Sequence, residues 1–129
     1  MAKFIHDDML DLLLAGIANA GDTLFLCSAD PGSNYTLASA TYKLADQAMT
    51  EGAGNGDYTI GNDPTSGRIL TVVTQTGVVV DTTGTITYAA ICDAVALKVL
   101  AVTTIISQAV TAAATVSVAG FKITANDPT

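Results

Sequence analysis

Thr85-Ile86-Thr87-Tyr88-Ala89-Ala90-Ile91-Cys92 is the stretch on which the fold turns. Ile86, Tyr88, Ala90 and Cys92 fall on one side of an extended chain, and Thr85 and Thr87 fall on the other. That two-residue period, in residues that suit a pleated surface, predicts a half-buried antiparallel strand. Runs of the same texture flank it: Ile69 to Thr74 and Gly77 to Val80 before, Val95 to Ile106 and Thr115 to Thr124 after, all rich in Val, Ile and Thr. In the last run Val116 and Val118 share a phase, whereas Phe121 and Ile123 take the opposite one. The slip falls at Ala119-Gly120, as a bulge would produce. Further upstream, Thr23-Leu24-Phe25-Leu26-Cys27 is a compact strand closed by the turn Asp30-Pro31-Gly32. Tyr35 to Met49 fits neither the helical nor the strand period.

The first 21 residues are the one helical segment. Met9, Leu10, Leu13, Leu14 and Ile17 recur at helical spacing and predict a wide buried stripe. Asp7 is the expected N-cap, Asp8 and Asp11 suit the positive end of the helix dipole, and Gly21 is the expected stop. Short strands with frequent turns then give the fold class: mainly β, an antiparallel β-sandwich or a jelly-roll-like barrel, with one N-terminal α-helix. The length, 129 residues, fits a single β-rich domain over 1–129.

Half of the residues are hydrophobic and only 13% are charged, about half the usual charged fraction. Such a chain covers its surface poorly with ionic groups. The weakly polar surface is either a partner's contact or a neutral Thr/Ser-rich sheet face. The net charge is −7, and the basic residues Lys3, Lys43, Arg68, Lys98 and Lys122 are scattered singly. No basic stripe is present, so nucleic acid and anionic membrane are not expected partners. Met9 to Ala20 is apolar but holds Asp11, and it falls short of the roughly 20 residues a bilayer span needs. With only Lys3 before it and no small-residue cleavage site, it is no secretory signal. The expectation is a chain made in a cytoplasm and kept there until something releases it.

Chemistry leaves little trace. Cys27 and Cys92, the only cysteines, sit in apolar runs and read as buried free thiols rather than a bridge or a metal pair. His6, the only histidine, adjoins Asp7 and Asp8, and is more simply a solvated or capping residue than part of a zinc or acid–base site. Asp57, Asn62 and Asp63 offer oxygens to calcium, but their spacing is not that of an EF-hand loop and turn formation accounts for them. Gly52-Ala53-Gly54-Asn55-Gly56 has no preceding strand, following helix or Lys-Ser/Thr end, so the phosphate-loop reading fails. The serines lack a nucleophile-elbow context. No catalytic, cofactor-binding or metal residue is assigned, and no enzyme is expected.

The Gly-rich loop over 50–67 holds five of the eleven glycines and Pro64, interrupted by a short extended piece at Tyr58-Thr59-Ile60. A loop that long is usually functional or disordered. Gly52, Gly54, Asn55, Gly56, Asp57, Tyr58, Asn62, Asp63 and Pro64 are therefore the candidate interface, the segment expected to reach a neighbour.

The order of features carries a resemblance. Phe4-Ile5 through Leu10-Asp11 leads to Leu24-Phe25-Leu26-Cys27-Ser28-Ala29-Asp30-Pro31, then Tyr35-Thr36 and Tyr42-Lys43-Leu44-Ala45. Gly67-Arg68 runs into Thr71-Val72, and Thr87-Tyr88-Ala89 into Asp93. Ser107-Gln108-Ala109-Val110-Thr111 and Asp127-Pro128-Thr129 close the series. Over nearly its whole length the chain resembles small virion-associated proteins encoded among the head and tail genes of tailed bacteriophages. It departs from them at Tyr88-Ala89-Ala90-Ile91-Cys92-Asp93, where members carry an aromatic-Ala-Leu-Thr-Asp pattern. The resemblance implies a virion structural protein, first of all a capsid decoration (cement) protein on the exterior of the head. Its partners would be the major capsid protein and copies of itself, a trimer being favoured. A neck or tail component is the alternative. A host-surface or glycan-binding module is another, and would need an aromatic platform built from Tyr35, Tyr42, Tyr58 and Tyr88.

Overall fold

The computed structural model describes residues 5–54, 56–65 and 67–126. Asn55 and the two ends that contribute to the resemblance, Phe4 and Asp127 to Thr129, lie outside the described residues. The elements run α1 (Asp7–Ala20), β1 (Thr23–Cys27), a short helical turn (Leu37–Thr41), β2 (Lys43–Ala48), β3 (Tyr58–Asn62), β4 (Arg68–Val72), β5 (Gln75–Val79), β6 (Gly84–Asp93), β7 (Lys98–Val110), β8 (Thr115–Val118) and β9 (Phe121–Ala125).

The strands pair antiparallel in three sheets, ordered β2-β1-β6-β7, β3-β4-β9 and β5-β8. The chain is thus mainly β with one N-terminal helix, and its sheets pack as a sandwich. They do not close into the barrel that was the alternative. Leu24, Leu26, Ala89 and Ile91 of the first sheet meet Tyr58, Leu70 and Val72 of the second in one core. Val78, Val80, Val116 and Val118 bring the β5-β8 corner into the same core, and Leu14 and Ala18 add the helix.

The decisive strand is richer than its alternation implies. Ile86 pairs with Gln108 and Tyr88 with Thr104, so Thr87 alone faces Ile105, Ile106 and Ser107. This bulge reverses the phase: Ile86 joins Ala89 and Ile91 in the main core, while Tyr88, Ala90 and Cys92 turn to the opposite face. That face is covered as well. Phe25, Cys27, Ala90 and Cys92 are buried there with Ala38 of the helical turn, and Tyr35, Tyr42 and Tyr88 pack around them. The strand is central and buried on both sides, not half-buried.

Three other expectations change. The run Thr115 to Thr124 is not one bulged strand. At Ala119-Gly120 it crosses from β8, paired with β5, to β9, paired with β4. A Cβ on Gly120 would stand 2.6 Å from the Val72 carbonyl oxygen, so the crossing admits no side chain there. The strand expected over Val95 to Ile106 begins at Lys98, because the Asp93 carboxylate accepts from the N–H groups of Val95 and Ala96 and holds a turn. Within the Gly-rich stretch the short extended piece is a full strand, β3, paired with β4 from Tyr58↔Val72 to Asn62↔Arg68.

The helix begins where expected but is capped one residue earlier. His6 has extended geometry and its Nδ1 accepts from the Asp8 N–H, while Asp7 is already helical. Gly21 closes it, its N–H donating to the Ile17 carbonyl. Leu10, Leu14 and Ala18 are buried, but Met9 and Leu13, expected in the buried stripe, face outward. The helix has more apolar residues than one face can hide. Among the described residues no helix is long and apolar enough to cross a membrane.

Candidate functional site

The Gly-rich segment is tied down by its own domain. Tyr58 is completely buried. Its hydroxyl donates to the Gly21 carbonyl at 2.7 Å, and burial pushes the phenol well above its ordinary pKa. The Asp57 carboxylate accepts from the Thr50 N–H and from the Gln75 side-chain amide. The Asp57 carbonyl accepts from the Val73 N–H. Gly52 donates to the Ala18 carbonyl and Gly54 to the Tyr58 carbonyl, at 2.8 and 2.7 Å. These bonds explain the order of the segment without any neighbour.

Of the nine candidate interface residues, Tyr58 is inaccessible, and Gly52, Asp57 and Asp63 are half-buried. Gly54, Gly56, Asn62 and Pro64 are exposed. Asn62 accepts from an Arg68 Nη, and Asp63 accepts from the Thr65 N–H. The carboxylate and amide oxygens considered for calcium are therefore engaged within the domain. Among the described residues no group of three or more His, Cys, Asp or Glu could hold a metal ion.

Cys27 and Cys92 are free and buried. Cys27 lies opposite Tyr88 and Cys92 opposite Thr23, at the two ends of the β1–β6 ladder. Four strand steps of roughly 3.4 Å separate them, beyond the reach of a disulfide. Burial pushes the Cys27 thiol up to about 11 and the Cys92 thiol up to about 12, so both stay protonated at neutral pH.

Two outward faces are unusually apolar. The first is on α1. At about 100° per residue, Leu10, Leu14, Ile17 and Ala18 share one sector, and Met9, Leu12, Leu13 and Gly16 share the next. Met9, Leu12 and Leu13 are 55%, 65% and 64% exposed. Asp8, exposed, flanks this stripe near its N-terminal end, while Asp7 falls with Asp11 on the far side of the helix. The Asp11 carboxylate is turned aside by Arg68, whose Nε donates to it at 2.6 Å and pins α1 to β4.

The second face is a cleft of about 710 Å³ on the open side of the sandwich, between β7 and the β8–β9 crossing. Ile86, Ile105, Val118 and Phe121 supply its apolar lining, and no charged residue lines it. The bulge that displaces Ile105 to Ser107 leaves Ile106 at the rim, 91% exposed. From Ala94 to Asn126 the sequence has no Asp or Glu, and its only charges are Lys98 and Lys122. All the acids of the described residues lie between Asp7 and Asp93. The concave lining, apolar and uncharged, accepts apolar side chains.

Neither face was singled out from the sequence. The helix offers two adjoining apolar sectors, and periodicity does not say which is inside. The cleft depends on a bulge and a sheet crossing. The acid-free stretch was the available signal. On the outer face of the first sheet, Tyr35, Tyr42 and Tyr88 gather half-buried, with Tyr35 edge-on to Phe25 at 6.0 Å between ring centroids. Comparison with protein-family models, curated proteins and solved structures finds no match to this chain.

Proposed function

We propose that this chain is a structural subunit of a tailed-phage virion, a decoration protein that binds the assembled head shell and stabilises it. The observation that carries the reading is the pair of outward apolar faces on an otherwise well-packed domain, the Met9-Leu12-Leu13 stripe and the β7–β9 cleft. Exposed apolar surface of this kind marks contact with other chains. The phage context comes from the sequence resemblance.

The mechanism is burial of neutral surface at junctions between shell subunits. A protein that binds only the assembled shell favours it over dissociated subunits by mass action. Standard interfaces bury roughly 800 Å² on each partner, which a ring of copies around a local threefold position would supply several times over. The test is to prepare heads without this chain and challenge them by heating or osmotic shock. They should assemble but release DNA earlier, and purified protein added back should restore resistance, including at moderate salt. Heads equally robust without it would refute decoration. Restriction to the portal vertex or tail, at a dozen copies or fewer, would establish a neck or tail component instead.

A glycan-binding module is favoured by one observation, the convergence of Tyr35, Tyr42 and Tyr88 on one sheet face. Binding to host-surface glycans that is lost in Tyr35→Ala would support it.

A further inference from the structure

We propose that the β7–β9 cleft is a slot for one extended segment of the shell protein, which enters as an added strand along the free edge of β7. The inference rests on the reading of the chain as a decoration protein and names the form its partner takes at this site.

The walls of the cleft are two stretches of main chain. Thr104 to Gln108 of β7 form one, and Ser117 to Phe121, where the chain crosses from β8 to β9, form the other. Each wall is a run of consecutive residues, about 17 Å of extended chain. A hollow over one sheet face would be lined by every second residue of a strand. This one runs along a strand edge, and the edge is open. Among the described residues β7 is the last strand of its sheet and pairs only with β6, β8 pairs only with β5, and β9 is the last strand of its own sheet. A row of unpaired N–H and C=O groups is satisfied by another extended backbone, which neither a helix nor a small apolar molecule supplies.

β7 is also poorly guarded against such an addition. Native edge strands are kept short, or carry charges, Pro or bulges. β7 runs for 13 residues with no Pro and no charge after Lys98. Only bulges interrupt it, and at the larger one Ile105, Ile106 and Ser107 share the single residue Thr87 across the ladder. Backbone with the fewest partners on β6 is thus the backbone that lines the slot. β2, the opposite edge of the same sheet, carries instead the Lys43–Asp46 ion pair at 2.8 Å.

The slot restricts the occupant's side chains as well. Those turned inward meet Ile86, Val118 and Phe121 and must be apolar, because no charged residue lines the slot to pair with a charge. A second copy of this chain is a poor occupant. Every strand of the described residues is already held in a ladder, so a copy has no single extended segment to insert, and its own β7 edge arrives with a whole sandwich behind it. The shell protein is the source that the decoration reading supplies.

The test compares the free chain with the chain bound to heads prepared without it, by amide hydrogen exchange read in a mass spectrometer. Binding should slow exchange across Thr104 to Gln108 by about tenfold or more. Proline is then placed at Ile106 and, separately, at Ser107, both exposed; neighbouring N–H groups of a strand point different ways, so the two positions sample both sides. One of these variants should bind heads about tenfold more weakly, while Ile106→Ala and Ser107→Ala, which keep the N–H, stay within about threefold. Ser117→Glu, at an exposed position of the opposite wall, sets a carboxylate in the slot without touching β7. It should weaken binding by about tenfold as well, and it serves should the proline chains misfold.

Binding to heads with unchanged exchange at Thr104 to Gln108 overturns the slot and leaves the virion reading standing. So do folded proline variants that bind as well as their alanine counterparts, or a Ser117→Glu chain that binds like the wild type. Self-association of the free chain that slows the same amides would put a second copy in the slot and overturn the shell as its occupant. A chain that binds no heads at all removes the virion reading and this inference with it.

Discussion

Two neighbouring leucines on α1 give the sharpest test of the packing. Leu14 lies in the main core at 2% exposure, while Leu13, one position earlier, faces solvent at 64%. Leu14→Ala removes three buried carbons and leaves a cavity that rigid sheet neighbours fill poorly, a change that costs about 3 kcal/mol within the usual range of roughly 2–5. The unfolding entropy near the midpoint is about 2.1 cal/mol/K per residue, hence about 0.27 kcal/mol/K for 129 residues. Leu14→Ala should therefore lower Tm by about 11 °C. Leu13→Ala removes atoms already largely in water and should stay within about 0.5 kcal/mol, a shift of no more than about 2 °C. Urea titration and thermal melts by circular dichroism would measure both, at concentrations dilute enough to exclude association. Equal costs at the two positions, or less than about 1 kcal/mol at Leu14, would mean that α1 does not turn its Leu10-Leu14-Ala18 face to the core.

Further outcomes follow from the anchors of the Gly-rich segment and from the thiols. Tyr58→Phe leaves the Gly21 carbonyl without its 2.7 Å donor and should cost about 1–3 kcal/mol, read as a lower urea midpoint with unchanged slope. Asp57→Ala releases the Thr50 N–H and the Gln75 amide together; limited proteolysis should then cut between Glu51 and Gly56 at least several-fold faster while the core spectrum persists. Cys27 and Cys92 have folded pKa values raised to about 11 and about 12 from an ordinary 9.0. Above pH 9 the unfolded chain loses these protons first, so stability is level below that pH and falls as pH climbs from about 9 through 11 to 12. The fall should be shallower in the Cys27→Ala/Cys92→Ala double variant, and a thiol reagent at neutral pH should modify neither cysteine until the wild type unfolds.

What the sequence made legible was local. β1 begins and ends at Thr23 and Cys27 as read, and Gly21 stops the helix, because each signal sits within a few residues of the feature it sets. The failures involve partners distant in sequence. Leu13 is apolar and correctly spaced, yet only the position of β3, β4 and β9 against α1 decides that Leu10 and Leu14 go inside. The alternation of Ile86 with Tyr88 breaks because β7 inserts extra residues opposite Thr87, which no inspection of β6 alone can show. Asp57 and Tyr58 looked like parts of a reaching loop, but they bond to Thr50, Gln75 and Gly21 and serve the interior. The cleft was not legible at all: the run without acids from Ala94 to Asn126 is plain in the sequence, whereas the hollow requires the β8–β9 crossing.

The β1–β6 ladder also sets how this chain can be made. Thr23 waits for Cys92 and Cys27 for Tyr88, partners that emerge roughly sixty to seventy residues later. At about 5–20 residues per second on a ribosome, Leu24-Phe25-Leu26-Cys27 stays without its central partner for about 3–13 s. β2 reaches β1 earlier but covers only one edge, and the other edge remains open until β6 arrives. A nascent chain stalled or cleaved before Tyr88 thus displays the unpaired edge of β1, and should be found with holding chaperones or in aggregates rather than as a soluble fragment.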